Sequence, residues 1–284
     1  MSKHKKGISS FWISTIVALL LSIFLTMASY LGGIYFGVFN KNLILDSLNK
    51  TSYYNAIMDY TLDKSQSLAI PMGLKPEVFD NVFTFEETYA EGNALIHANL
   101  DGKEYIPNTS KVVDRLVSNI NLYLKQNDLK VTNDQQTNIT TFANIIADEY
   151  SKNLSVPYIK YYTSLRNIFS KLAYVGIPVF LLLSAFAIFL LIKMQRWIHR
   201  SLRFIAYGTL AASLMTAGLP VFLLITGSYK RLNVTPEYFY NFIVHYITES
   251  LYTFIIISLL LFVISIMLMT IIHFKKNELT NKKK

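Results

Sequence analysis

Between Lys6 and Lys41 the chain runs 34 residues without a charged side chain: GISSFWISTIVALLLSIFLTMASYLGGIYFGVFN. As a helix it would be roughly 51 Å long at about 1.5 Å per residue. A bilayer's hydrocarbon core needs only about 20 apolar residues. The stretch therefore spans a membrane with length to spare. Its basic start (Lys3, Lys5, Lys6) suits a signal sequence. The apolar run is far longer than the ~7–15 residues of a cleaved signal, and no clear small-residue cleavage site follows, so it reads as an uncleaved signal-anchor.

Three more uncharged stretches follow: 172–192, 204–229 and 250–274. Each passes the ~18-residue threshold for a spanning helix. Only 16% of the chain is charged, against about 25% in soluble domains. The expected fold is an all-α integral membrane protein of four transmembrane helices plus one extracytoplasmic helical domain.

The net charge of +9 could suggest nucleic acid, but its distribution marks topology instead. The tail 1–6, the loop 193–203 and the tail 275–284 together carry +11. Segment 41–171 carries −2, and the loop 230–249 is neutral. Basic excess marks the cytoplasmic side. Both termini and the 193–203 loop are therefore expected in the cytoplasm of a plasma-membrane protein, with 41–171 and 230–249 outside. Trp12 and Trp197 fall near the expected inner boundary and several tyrosines near the outer one. The lysine tail could attract anionic lipid, but reads first as a topology determinant.

The outer segment has helical periodicity and no long alternation for a sheet. Asn42–Asn49 is expected to continue span one. Further helices are expected from Ser52 to Leu68, over Pro76–Val82, from the Thr84–Glu87 capping-box pattern to Leu100, from Asn108–Ser110 onward, and over Asn133–Lys152. Pro157 restarts a helix leading into span two. In the second outer loop, Thr235-Pro236-Glu237 reads as N-cap, first-turn proline and first-turn acid. The helix it opens carries Tyr238, Phe239, Phe242 and Tyr246, an apolar face that docks on the outer domain or lies at the membrane interface.

The four spans contain no Asp, Glu, Lys or Arg. An ionisable residue there is the usual pointer to an ion path or proton relay. Without one, a stand-alone transporter or cation channel is disfavoured. Thr15, Thr26, Ser184, Thr209, Ser213, Thr216 and Thr226 are expected to bond carbonyls of their own helices. The spans do carry packing signals. Gly33-x-x-x-Gly37, preceded by Ala28-x-x-x-Gly32, and Gly208-x-x-x-Ala212 let backbones approach closely. They pack helices within the chain or, as the alternative, within a homo-oligomer. Gly218 and Pro220 predict a kink.

There is no cysteine, hence no disulfide, thiolate metal site or lipid-anchor Cys. His97 and His245 lack a second ligand at metal spacing. Glu87 is explained as a cap partner, and no catalytic or phosphate-loop motif appears. Neither catalytic residues nor a cofactor or metal site are expected. Five N-x-S/T sequons, at Asn49, Asn108, Asn138, Asn153 and Asn233, read as chance occurrences in an Asn-rich chain.

The segments Asn42–Tyr54, just outside span one, and Arg200–Gly208, entering span three, resemble those of uncharacterised four-span envelope proteins of Gram-positive bacteria. That resemblance implies a layout and no activity. In topology alone the chain is also similar to FtsX-like and MacB-like permeases, which work with a separate ATPase. Its 193–203 loop departs from theirs in being short, basic and without an acidic coupling element. The leading expectation is a non-enzymatic membrane protein whose outer domain binds another envelope component, as scaffold or accessory subunit. The alternative is a permease-like subunit transmitting force from an ATPase.

Overall fold

The computed structural model describes residues 2–195 and 197–281, and the side chains of 11–195 and 197–275. Arg196 and Lys282–Lys284, which enter the charge asymmetry, lie outside the described residues. The described chain is all-helical. In order, α1 is Ser2–Gly33, followed by a π turn over Ile34–Val38; α2 is Lys41–Lys50, α3 Tyr53–Ala69 and α4 Phe85–Leu100. Then come α5 (Ser110–Gln126), α6 (Asn133–Leu154), α7 (Ile159–Met194), α8 (Ile198–Thr226) and α9 (Glu237–Asn281). Short 3-10 turns occupy Ile70–Met72, Pro76–Phe79 and Ser228–Arg231. Four helical stretches are long and apolar enough to cross a membrane, within Phe11–Val38, α7, Ile198–Thr226 and Glu237–Lys275.

The chain divides into two compact units. The first comprises Met1–Leu43, Arg166–Leu232 and Val244–Lys284; the second comprises Ile44–Leu165 and Asn233–Ile243.

In the first unit, α1 packs along α8. Small polar residues lie inside: Ser14, Ser22, Ser201, Thr216 and Ser265 are all but fully buried. Large apolar residues such as Leu182, Phe186, Ile225 and Leu260 lie outside, more than half exposed. Small residues at helix contacts and apolar residues on the outside are what lipid-facing helices require. A modest apolar core of Val17, Leu21, Ala187, Leu191 and Ile205 holds one end together.

Most hydroxyls on these helices bond a carbonyl of their own helix, Thr15 to Phe11 and Ser184 to Phe180 among them. Ser213 departs from that expectation. It donates across to the Ser258 carbonyl at 2.9 Å while Ser258 donates back to the Ser213 carbonyl at 2.9 Å. Ser265 likewise reaches the Ala206 carbonyl at 3.0 Å, a second tie between α8 and α9. Tyr30 on α1 donates to the Met215 carbonyl at 3.1 Å.

The expected continuation of span one into 42–49 is interrupted. The Phe39 N–H bonds back five residues to the Ile34 carbonyl at 2.8 Å, which makes the π turn. The Asn40 amide then closes one helix and opens the next. Its Nδ2 donates to the Phe36 carbonyl at 3.0 Å and its Oδ1 accepts from the Asn42 N–H at 3.0 Å. An Asn side chain that bonds nearby backbone competes with the helical ladder, so the helix stops and restarts here.

The second unit has an ordinary apolar core. Ile57, Ile96, Leu100, Leu116, Ile120, Phe142, Ile146 and Leu154 are buried in it. Each such side chain removed from water stabilises the fold by roughly 1.5–3 kcal/mol. Helices α3, α4, α5 and α6 pack around it. Tyr150 donates to Thr88 at 3.0 Å, one of the polar bonds inside that core.

Two helix starts differ from expectation. Thr84 precedes α4 but makes no side-chain cap bond. The complete capping box is at α6, where Thr132 accepts from the Gln135 N–H at 3.4 Å and Gln135 accepts from the Thr132 N–H at 2.9 Å. At α9 the Pro236 carbonyl accepts the first helical bond, from the Tyr240 N–H at 3.2 Å. Pro236, not Thr235, is therefore the N-cap. The Thr235–Pro236 peptide bond is cis.

Candidate functional site: an apolar cleft in the helical unit

The second unit holds a cleft of about 590 Å³. The 3-10 turn at Ile70–Met72 brings Met72 to one wall. The end of α5 supplies Leu124, and the start of α6 supplies Ile139, Phe142 and Ile145. Leu129 and Val131, on the α5–α6 connection, add to the apolar lining, as do Leu74 and Ile120. The polar contribution at the rim comes from Lys130, Gln135, Asn138 and Thr141.

The cleft follows from local rules. Helix α5 has a strongly amphipathic sequence, and Val112, Leu116 and Ile120 bury its stripe. The stripe runs on to Leu124, past the depth at which α6 covers it. The capping box at Thr132 fixes where α6 begins, two residues after Val131, and so sets the wall opposite. Leu129 is left 54% exposed, Ile145 51% and Met72 56%. Pockets of 300–1,000 Å³ with mostly apolar walls and a few polar groups are the usual form of a binding site.

The polar groups nearby are committed to structure. Glu87, expected as a cap partner, pairs with Arg115 of α5 and with Lys111 at 3.3 Å, beside a bond to the Thr84 side chain. Burial pushes the Glu87 carboxyl up, but the bond and charge of Arg115, with the bonds of Lys111 and the Thr84 side chain, outweigh it and hold the group below its ordinary range. Glu91 anchors the connection before α5, accepting from Tyr105 at 2.7 Å and from the Asn108 N–H at 2.9 Å. Glu149 pairs with Lys64 across α6 and α3, and that bond raises the Lys64 ammonium's pKa. The sequon residue Asn153 spends its amide on Thr61 at 3.0 Å. Among the described residues, no three His, Asp or Glu side chains gather where they could hold a metal ion.

The residues singled out in the sequence fall elsewhere. A Cβ at Gly33 would lie 2.3 Å from the Phe254 ring, and one at Gly37 would lie 3.1 Å from the Ser250 carbonyl oxygen. A Cβ at Gly208 would lie 3.1 Å from the Ala18 carbonyl oxygen, and Ala212 is fully buried. Helix α8 runs on through Gly218 and Pro220, with open space beside Gly218 and Pro220 buried. Tyr238 packs edge-on against Tyr53 at 5.2 Å and Tyr60 at 5.4 Å, while Phe242 meets Tyr53 at 5.6 Å. Phe239 and Phe242 are each only 5% exposed. Tyr246 belongs to the first unit, where its hydroxyl donates to the Val38 carbonyl.

The cleft itself was not read from the sequence. Its walls come from residues more than 70 positions apart, Met72 and Ile145, which no local pattern pairs. A signal did exist in the apolar pair Leu129 and Val131, set in an otherwise polar connection between helices.

These features define an all-helical chain with four helices able to span a membrane and a separate helical unit bearing an open apolar cleft. Comparison with protein-family models, with curated proteins and with solved structures finds no match for it.

Proposed function

We propose that this is a non-enzymatic, multi-pass plasma-membrane protein of the bacterial cell envelope. Both termini are cytoplasmic, the second unit is extracytoplasmic, and that unit binds another envelope protein as a scaffold or accessory subunit. The observation that carries the binding role is the apolar cleft, with Leu129 and Ile145 left more than half exposed at its mouth. An apolar surface kept open in water marks a place where another molecule docks. The occupant best matched to it is an apolar or amphipathic segment of a partner, its side chains filling the cleft and its polar edge meeting Lys130, Gln135 and Asn138.

The orientation rests on charge. The basic excess lies in the 1–6, 193–203 and 275–284 segments, and the uncharged stretches separate these from the weakly acidic 41–171. Protease added outside intact cells is expected to cut between Lys41 and Lys171 and to spare a tag placed after Lys284.

The binding role is tested by crosslinking and copurification from the native membrane with Ile145→Glu and Leu129→Asp beside the unaltered chain. Both residues are largely exposed, so the variants should fold and lose the envelope partner. Recovery of a cytoplasmic ATPase, unaffected by either change, would favour the force-transmitting permease reading instead.

A further inference from the structure

The first unit contains a smaller cavity of about 290 Å³ where the π turn ends and α2 begins. Lys41, Arg166, Asn40 and Asn42 line it, together with the rings of Tyr35 and Phe36. No carboxylate is among the lining residues. Arg166 is held in place: its Nε donates to the Phe39 carbonyl at 3.1 Å, and the Phe39 ring stacks on Phe169 at 5.1 Å. That bond uses one guanidinium N–H. The terminal amino groups keep the planar fork that suits phosphate oxygens.

The position of the cavity along the helices selects the ligand. Lys41 directly follows the first uncharged stretch, and Arg166 precedes the second, which starts at Leu172, by six residues. At about 1.5 Å per residue that is roughly 9 Å along α7. A bilayer of about 40–45 Å with a hydrocarbon core of about 30 Å has a headgroup layer of roughly 5–7 Å on each side. The lining cations thus fall at the outer margin of the headgroup layer, which Arg166 reaches through its long side chain. Tyr35 and Phe36 are exposed beside them, where interface aromatics belong. We propose that this cavity binds the phosphate of an anionic membrane phospholipid, with Arg166 and Lys41 as its ligands and the acyl chains along the apolar helix faces. A zwitterionic lipid would bring its own ammonium toward the same two cations and bind less well.

The inference rests on the membrane reading above, and its test is separable from that reading. The full chain, purified in detergent, is titrated with phosphatidylglycerol, with phosphatidylcholine of the same acyl chains, and with inorganic phosphate, while retained ligand is counted by native mass spectrometry. Phosphatidylglycerol should be retained best. Lys41→Gln and Arg166→Gln should each weaken it about fivefold, at about 1 kcal/mol per basic residue near the surface. Arg166→Lys keeps the charge without the fork and should fall between, which separates loss of binding from loss of folding. Lys193→Gln, at the other end of α7, should change nothing. Equal retention of the two lipids, equal losses on Lys193→Gln, or saturation by phosphate without lipid preference would each overturn the proposal. A chain found in the membrane fraction yet showing any of these would fail here alone, whereas a chain absent from that fraction would fail the membrane reading itself.

Discussion

At the residue scale, small side chains decide how the first unit packs. In the membrane setting proposed above, apolar burial contributes little to helix association, and close backbone approach carries more. Gly33 and Gly208 serve that approach in different ways. The Gly33 site faces a ring that can turn, the Phe254 side chain, while Gly208 faces a backbone carbonyl that cannot move alone. Gly208→Ala is expected to cost about 1–3 kcal/mol, as overpacking does elsewhere. Gly33→Ala should cost a similar amount, but Phe254→Ala made together with it should recover part of the loss, because the two sites touch. Thermal unfolding in detergent reads both. Glu87 acts by charge rather than fit. Its carboxyl pKa is lowered in the fold from the ordinary 4.5, so the folded state binds fewer protons there than the unfolded chain. The stability from this group is therefore complete above about pH 4.5 and is lost as pH falls through the lowered folded value. Glu87→Gln should flatten that acid limb of the stability curve; an acid limb equal to that of the unaltered chain would remove the pairing as a source of stability.

At the element scale, the sequence and the structure agree where a pattern is long and differ where one side chain decides. The four spans were legible because each is a charge-free run longer than 20 residues, and α3 to α6 because their apolar residues recur at helical spacing. The break at Asn40 was not legible. A helix-compatible run gives no sign that one amide will take over the backbone bonds on both sides of it. The capping pattern at Thr84 had the right residue types, yet Glu87 found a stronger partner in Arg115, 28 residues on. The box that does form, Thr132 with Gln135, sits at the mouth of the cleft. Thr132→Ala should cost about 1 kcal/mol and loosen the first turn of α6. Hydrogen exchange should then quicken at residues 133–137 and not at 146–150, and partner recovery should fall. Unchanged exchange at 133–137 would show that the cap does not hold the cleft wall.

At the scale of the whole molecule, the two units have two kinds of interior. The first unit hides serine, threonine and glycine and shows leucine, isoleucine and phenylalanine. The second hides isoleucine, leucine and tyrosine in an ordinary apolar core and carries most of the chain's acidic residues. That inversion is visible in the sequence as charge density, which is why four helices able to span a membrane could be read from it. The cleft could not, since it depends on which helix ends meet in space. The central claim is that the cleft-bearing unit faces outward from a membrane in which the other unit is embedded. The chain has no cysteine, so a single introduced thiol reports on one place. Ile145→Cys in the cleft and Lys193→Cys at the far end of α7 should be labelled in intact cells with a membrane-impermeant maleimide. The expected result is labelling of the Ile145→Cys protein at once and of the Lys193→Cys protein only after the membrane is opened. Labelling of Lys193→Cys in intact cells, with Ile145→Cys protected until the membrane is opened, would contradict the claim.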